Sequence, residues 1–255
     1  MTATPPPAVH HTLHAEGADA RGVVPGNVRH PPWLLISGAA LGLAILIVGA
    51  VGALIDRGWE LSVDRAIMLW TRHGSAHGVP IGPRWVRAAM VDITALGGVT
   101  VLTLITVVAV GFLALKRLWL TLWLVLGGTT SGAIAVSVAK SIVARPRPDL
   151  VDHLVTVSSA SFPSGHATSS AIVYLTLAAL IMQIVPGRVV RGYIICAAAL
   201  LVGAIGCSRV YLGVHWPSDV LTGWGFGALW ALMWWGIGAW ARLRRAGRSL
   251  LHPGK

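Results

Sequence analysis

Ser161-Phe162-Pro163-Ser164-Gly165-His166 stands at the mouth of a long apolar run, Ala167 to Val185. A cationic turn, Lys140 through Pro148, lies upstream of it. Ser208-Arg209, His215 and Asp219 follow after another apolar run. These three stretches are expected to meet around one phosphate group, with the rest of the chain holding them at a membrane surface.

Composition sets the solvent. Of 255 residues, 55% are hydrophobic and 11% charged, and the mean hydropathy is +0.72. A soluble domain carries about 25% charged residues, so this chain cannot coat a water-facing globule and is read as a membrane protein. The net charge of +11 does not indicate nucleic acid, because the cations sit between apolar spans rather than on one soluble face. Anionic headgroups and positive-inside topology account for them. Cys196 and Cys207 lie in one predicted span, roughly 16 Å apart along a helix and too far for a disulfide.

Outward from the central stretch the chain reads as an all-α bundle of six transmembrane helices. Residues 1–32, rich in Pro, Gly, His and Ala, read as a disordered tail in which His10, His11, His14 and His30 are solvated. Span one, Trp33 to Ile55, has no charge and would make about 34 Å of helix against a hydrocarbon core of about 30 Å. Residues 56–90 mix charged side chains with Trp59, Ile67, Trp70 and Trp85, which predicts short amphipathic helices at the interface. Such interfacial helices are expected in both the first and the second extracytoplasmic loops. Span two runs from Val91 to Leu115 and span three from Leu118 to Ala139. Gly127, Gly128, Ser131 and Gly132 give span three a small face for close packing. Residues 140–164 read as a polar loop. Span four follows from Gly165 to Val185, span five from Gly192 to Cys207 and span six from Ser218 to Ala241. Residues 242–255 form a basic tail. Together these make a transmembrane domain over 33–241.

Alternating spans put Lys140, His166, Arg209, His215 and Asp219 on one membrane face. Three clustered cations repel one another unless an anion lies between them, and a phosphate carries about −1.5 to −2 charges at pH 7. Arg147 and Arg209 can grip it in bidentate fashion, and Lys140 as a point charge. Ser164 and Gly165 precede the span-four helix, whose first N–H groups can face an anion. Asp219 follows His215 by four residues. A helix through both would put them on one face, while Pro217 favours a helix start nearby. Either geometry lets Asp219 accept a hydrogen bond from one imidazole nitrogen and leaves the other as nucleophile. His166, on another span, is free to protonate a leaving oxygen. A metal set drawn from His166, His215, Asp219, Asp149 and Asp152 is disfavoured, because the neighbouring cations repel a divalent ion.

Lys140-x6-Arg147-Pro148, Pro163-Ser164-Gly165-His166 and Ser208-Arg209-x5-His215-x3-Asp219 resemble, in order and spacing, the three-part signature of the type-2 phosphatidic acid phosphatase superfamily. The resemblance covers about residues 33–241. It implies a six-helix membrane phosphatase acting on lipid phosphates without metal or cofactor. His215 would attack phosphorus and become a phosphohistidine, and Asp219 would orient it. His166 would protonate the departing lipid oxygen and then activate water. Lys140, Arg147, Arg209, Ser164, the Gly165 amide and Ser208 would bind phosphate. Arg145 lies outside the motif and is left either behind the phosphate grip or on a headgroup. Cations divide eleven to nine between the two faces, with the larger number beside the termini, which leans toward cytoplasmic termini. The resemblance implies an extracytoplasmic site in a bacterial-type plasma membrane. The expected substrates are polyprenyl (undecaprenyl) diphosphate first, then phosphatidic acid or phosphatidylglycerol phosphate. The family's soluble acid phosphatases and haloperoxidases do not fit six apolar spans. A non-catalytic lipid-phosphate binder or transporter is the alternative, and the pair His166 and His215 argues against it, since binding needs only the cations.

Overall fold

The computed structural model describes residues 32–58, 62–74 and 78–251, with side chains through Ala246. Residues 1–31 of the expected tail, and Trp59 with Glu60 of the first loop, lie outside the described residues. Eight α-helices make up the described chain: α1 Trp33–Asp56, α2 Ser62–Trp70, α3 Arg84–Ala95, α4 Val99–Leu115, α5 Trp119–Val143, α6 Gly165–Ile184, α7 Arg188–Tyr211 and α8 Pro217–Leu251. Five of them are long and apolar enough to cross a membrane, and the bent pair α3–α4 supplies a sixth crossing if it counts as one span. Backbone donors and acceptors find no partners in hydrocarbon, so a helix that satisfies them internally is the form such sequences must take.

Three expectations need correction. Span two is not one helix from Val91 to Leu115. It breaks at Leu96-Gly97-Gly98, where α3 and α4 meet at 46°. Two consecutive glycines weaken the helix there, and the bare Gly97 lets Ile205 of α7 pack against the break with His166 beside it. The second loop contains no helix between Ala144 and Ser164. Pro146, Pro148 and Pro163 remove donors, and several of the loop's backbone groups bond to distant parts of the chain. Ser161 N donates to Arg145 O at 2.9 Å, and Leu154 N to Leu212 O at 3.0 Å. Finally, α8 does not end at Ala241. It runs ten residues further, through a stretch of Ala, Leu and Arg that favours helix, and Arg244 lies over the Trp240 ring at 4.4 Å.

The helices interlock through small residues. α8 packs on α1 and α6, α6 on α7, and α3 on α7, while α4, α6 and α8 all touch α5. Gly128 and Gly132 of α5 are buried against Trp234, Trp230 and Ile172, as the small face of span three predicts. Trp230 Nε1 donates to Gly128 O at 3.0 Å. Between α6 and α8 the approach reaches backbone atoms. A Cβ on Gly227 would stand 2.7 Å from Ala171 Cβ and 2.7 Å from Thr168 O, and one on Gly223 would stand 3.0 Å from Ser164 O. These contacts lock the α8 N-terminus against the α6 N-terminus, which is where the polar residues collect.

Candidate active site

Four chain segments converge at the shared end of α5, α6, α7 and α8. Pro217 starts α8, so the residue before it, Trp216, is its N-cap and Asp219 its third helical residue. Asp219 Oδ2 reaches back to accept the Trp216 N–H at 3.0 Å, the reach an acidic residue makes in a capping box. That bond helps to fix the carboxylate. The same oxygen accepts from Ser161 Oγ and stands 3.4 Å from His215 Nδ1. Asp219 Oδ1 accepts from Arg145 at 2.6 Å. The carboxylate is fully buried and each of its oxygens is occupied.

His215 is 2% exposed. With Nδ1 turned to Asp219, its Nε2 faces Arg147 at 3.4 Å. Burial holds its pKa down at about 4, with Arg147 and Arg209 pushing the same way and Asp219 opposing them. The imidazole is therefore neutral at pH 7 and its Nε2 lone pair is available. Arg147 is aimed by carbonyls: Nε donates to Ser159 O at 2.8 Å and one terminal nitrogen to Val214 O at 2.6 Å. Burial pulls its pKa down too, though a guanidinium starts high enough to keep its charge.

Lys140 sits on the last turn of α5 rather than in the loop, and gives one of its three protons to Ala160 O at 2.5 Å. Arg209, 4% exposed on the last turn of α7, bonds Thr94 Oγ1 of α3 at 2.9 Å, and its Nε has no protein partner. The Ser164 hydroxyl is also buried without a partner. No side chain caps the N-terminus of α6, so its first N–H groups remain free for an anion. His166, half-buried, packs against the α3–α4 break. Its Cβ and Cδ2 lie 3.4 Å from where a Gly97 Cβ would be, and its Nε2 4.0 Å from that of Gly98. It stands within electrostatic range of Arg209, His215, Arg147 and Lys140.

One expectation does not match this geometry, and one left open takes a side. Ser208 is fully buried and donates to Ile205 O at 2.6 Å, so its hydroxyl proton is turned into its own helix and away from the other donors. Of the two places left open for it, Arg145 takes the one behind the phosphate grip. It is buried between Asp219 and Asp64, which it bonds at 3.1 Å, with Trp216 stacked 5.1 Å from the guanidinium carbon. Asp149 lines a cavity with Asp64, Arg65, Arg145 and Arg147, and the Asp152 carbonyl faces Arg72. Ser161, Thr94 and Asp64 are the polar contributors that the sequence reading missed. Ser161 lay in the quoted stretch, and only its position, one turn of chain before Ser164, hinted at a part in the site. Thr94 and Asp64 gave no signal at all.

The PAP2 superfamily model matches residues 120–242. Phosphatidylglycerophosphatase B of Bacillus subtilis (strain 168) is 36% identical over 174 residues, covering 66% of this chain and 79% of that protein. Decaprenylphosphoryl-5-phosphoribose phosphatase of Mycolicibacterium smegmatis is 40% identical over 105 residues, 40% of this chain and 52% of that protein. The crystal structure of a transmembrane PAP2 type phosphatidylglycerolphosphate phosphatase from Bacillus subtilis superposes with a TM-score of 0.64 at 28% identity, covering 79% of this chain and 94% of that one. The chain belongs to the PAP2 superfamily of membrane lipid phosphatases, enzymes that hydrolyse phosphoric esters.

Proposed function

We propose that the protein dephosphorylates a lipid phosphate or diphosphate through a phosphohistidine on His215, without a metal ion. The observation that carries this reading is the pairing of His215 with Asp219. Nδ1 faces the carboxylate at 3.4 Å, and Nε2 points to the side where Arg147 stands, also at 3.4 Å. The Nε2 lone pair forms the N–P bond as the P–O bond to the lipid oxygen, or in a diphosphate to the bridging oxygen, breaks, and His166 gives its proton to the departing oxygen. Water then attacks phosphorus, His166 takes a proton from it, and the N–P bond breaks to release phosphate. Lys140, Arg147 and Arg209, with Ser164 and the α6 N-terminus, neutralise the charge that grows on the phosphoryl oxygens. These cations do for the phosphate what a divalent ion does elsewhere, which is the ground for metal independence.

A lipid substrate is supported by a groove of about 360 Å³ between α4, α5 and α6, lined by Val99, Leu102, Ser169 and Ile172 among others. It begins one turn from His166, where the leaving oxygen would carry its apolar tail. The relatives favour phosphatidylglycerol phosphate and polyprenyl-linked phosphates as the substrates to test first. The site is assigned to the extracytoplasmic face and the termini to the cytoplasm. Phosphate release should be measured in detergent from phosphatidylglycerol phosphate, phosphatidic acid and undecaprenyl diphosphate, for the wild type and His215→Ala. The variant should release none from any of them, and turnover at the wild-type rate refutes the mechanism.

A further inference from the structure

The buried carboxylate Asp64, on the short amphipathic α2, is 3% exposed and far in sequence from every motif. Its Oδ1 accepts the Ser218 N–H at 2.8 Å, one of the orphan donors at the start of α8. Its Oδ2 accepts from Ser218 Oγ at 2.5 Å and from Arg145 at 3.1 Å. Arg145 in turn donates to Ser218 Oγ at 2.8 Å and to Asp219 Oδ1 at 2.6 Å. The chain of contacts therefore runs Asp64, Arg145, Asp219, His215. None of the first three faces the phosphate side of the imidazole.

Counting charge along that chain gives Asp64 −1, Arg145 +1 and Asp219 −1. Alone, Arg145 would cancel the charge that Asp219 offers to His215. With Asp64 beyond it, the group keeps one net negative charge in a low-dielectric site, where such a charge acts strongly. Phosphoryl transfer to Nε2 leaves the Nδ1 proton in place and makes the ring cationic, so one negative charge behind it is the matching count. The other charges that bear on His215, Arg147 and Arg209, are positive and belong, on the proposed mechanism, to the phosphate side.

We propose that Asp64, acting through Arg145, is a positioning and charge-balancing residue for His215, preserving the net negative charge behind the imidazole that stabilises its phosphorylated, cationic form. This rests on the reading of His215 as the nucleophile. Arg145 orients Asp219, and Asp64 prevents that orientation from costing Asp219 its charge. No proton passes to either carboxylate.

The test compares kcat and KM for phosphate release from phosphatidylglycerol phosphate in detergent, using the wild type, Asp64→Asn, the double variant Asp64→Asn/Arg145→Gln, Arg145→Gln and His215→Ala. Asp64→Asn keeps the shape and brings the net count to zero, so kcat should fall about tenfold while KM stays within about twofold, because the residue does not touch the phosphate. The double variant restores the count of −1 and should turn over faster than Asp64→Asn. A purely structural part for Asp64 would lower the SDS-unfolding stability of Asp64→Asn and leave kcat per folded molecule unchanged. The proposal is overturned by Asp64→Asn with a wild-type kcat, by a loss carried in KM, or by a double variant slower than the single. Should Asp64→Asn not accumulate folded, the double variant must outrun Arg145→Gln, whose two buried carboxylates go uncompensated, and the reverse order overturns the count. Turnover by His215→Ala would instead refute the nucleophile itself, so the two failures are distinguishable.

Discussion

His215 should make the protein's stability fall in mild acid, by an amount that the burial of its ring sets. The side chain is 2% exposed and its pKa is held at about 4, against an ordinary 6.5. A depressed folded-state value means that the neutral form is the one the fold favours. Its contribution is fully present above pH 6.5 and declines as pH falls toward 4, because only the unfolded chain takes up the proton in that window. Between pH 7.5 and 5.0 this single site should cost the wild type about 2 kcal/mol. His215→Asn has no such group and escapes that loss. Unfolding by SDS in mixed micelles, followed by tryptophan fluorescence at both pH values, measures the effect as a double difference that cancels the other titrating groups. The stability gap between wild type and variant should narrow by about 2 kcal/mol on going to pH 5.0. A gap that stays constant would mean that His215 titrates as an ordinary imidazole, and the argument for a neutral, ready nucleophile at neutral pH would fail with it.

Ser164→Ala removes a buried hydroxyl with no protein partner. Folding stability should hold or rise by about 1 kcal/mol, while KM rises about tenfold from the lost bond to a charged phosphate. An unchanged KM would remove Ser164 from the phosphate site. On α8, Gly227→Ala puts a methyl 2.7 Å from Ala171 Cβ and Thr168 O, while Gly225→Ala meets nothing nearer than Ile47 at 3.9 Å. The first should destabilise relative to the second by about 1–3 kcal/mol in SDS unfolding, and equal stabilities would contradict the close approach of α6 and α8. Phosphate release should persist in excess chelator, and a complete loss that Mg²⁺ restores would refute a phosphate grip made of Lys140, Arg147 and Arg209.

The all-helical membrane bundle and the gathering of the motif residues at one end of it were legible because both rest on local signals. Apolar length marks a span, and the three motifs carry their spacing in the chain itself. Pro217 announced the start of α8, and four residues separate His215 from Asp219 whatever the fold does. What stayed hidden depends on tertiary contact. Asp64 looks like any acidic residue on an amphipathic helix, and nothing nearby in sequence says that it is 3% exposed. Ser208 stands inside a motif, yet its hydroxyl bonds its own helix at Ile205, a choice between two acceptors that spacing cannot decide. Arg145 and Arg147 are two residues apart in one run of Arg-Pro repeats. One turns inward to two carboxylates and the other toward His215, and only the packing of α2 and Trp216 around Arg145 separates them.

The break in span two shows why apolar length alone was a poor guide at one place. An uninterrupted helix from Val91 to Leu115 would satisfy the hydrocarbon as well as two shorter ones do, so hydropathy carries no reason for a bend. A tight contact lies across the interface, on α7. The volume beside Gly97 is taken by Ile205, since a methyl there would stand 2.5 Å from that side chain, while His166 lies in ordinary contact at 3.4 Å. The same 46° bend orients α3 so that Thr94 meets Arg209. Gly97 thus records a demand made by Ile205 on α7, far along the chain, rather than by any feature of its own span. Wherever a membrane span carries adjacent glycines opposite the end of a polar motif, the bend should be sought before the helix is drawn straight.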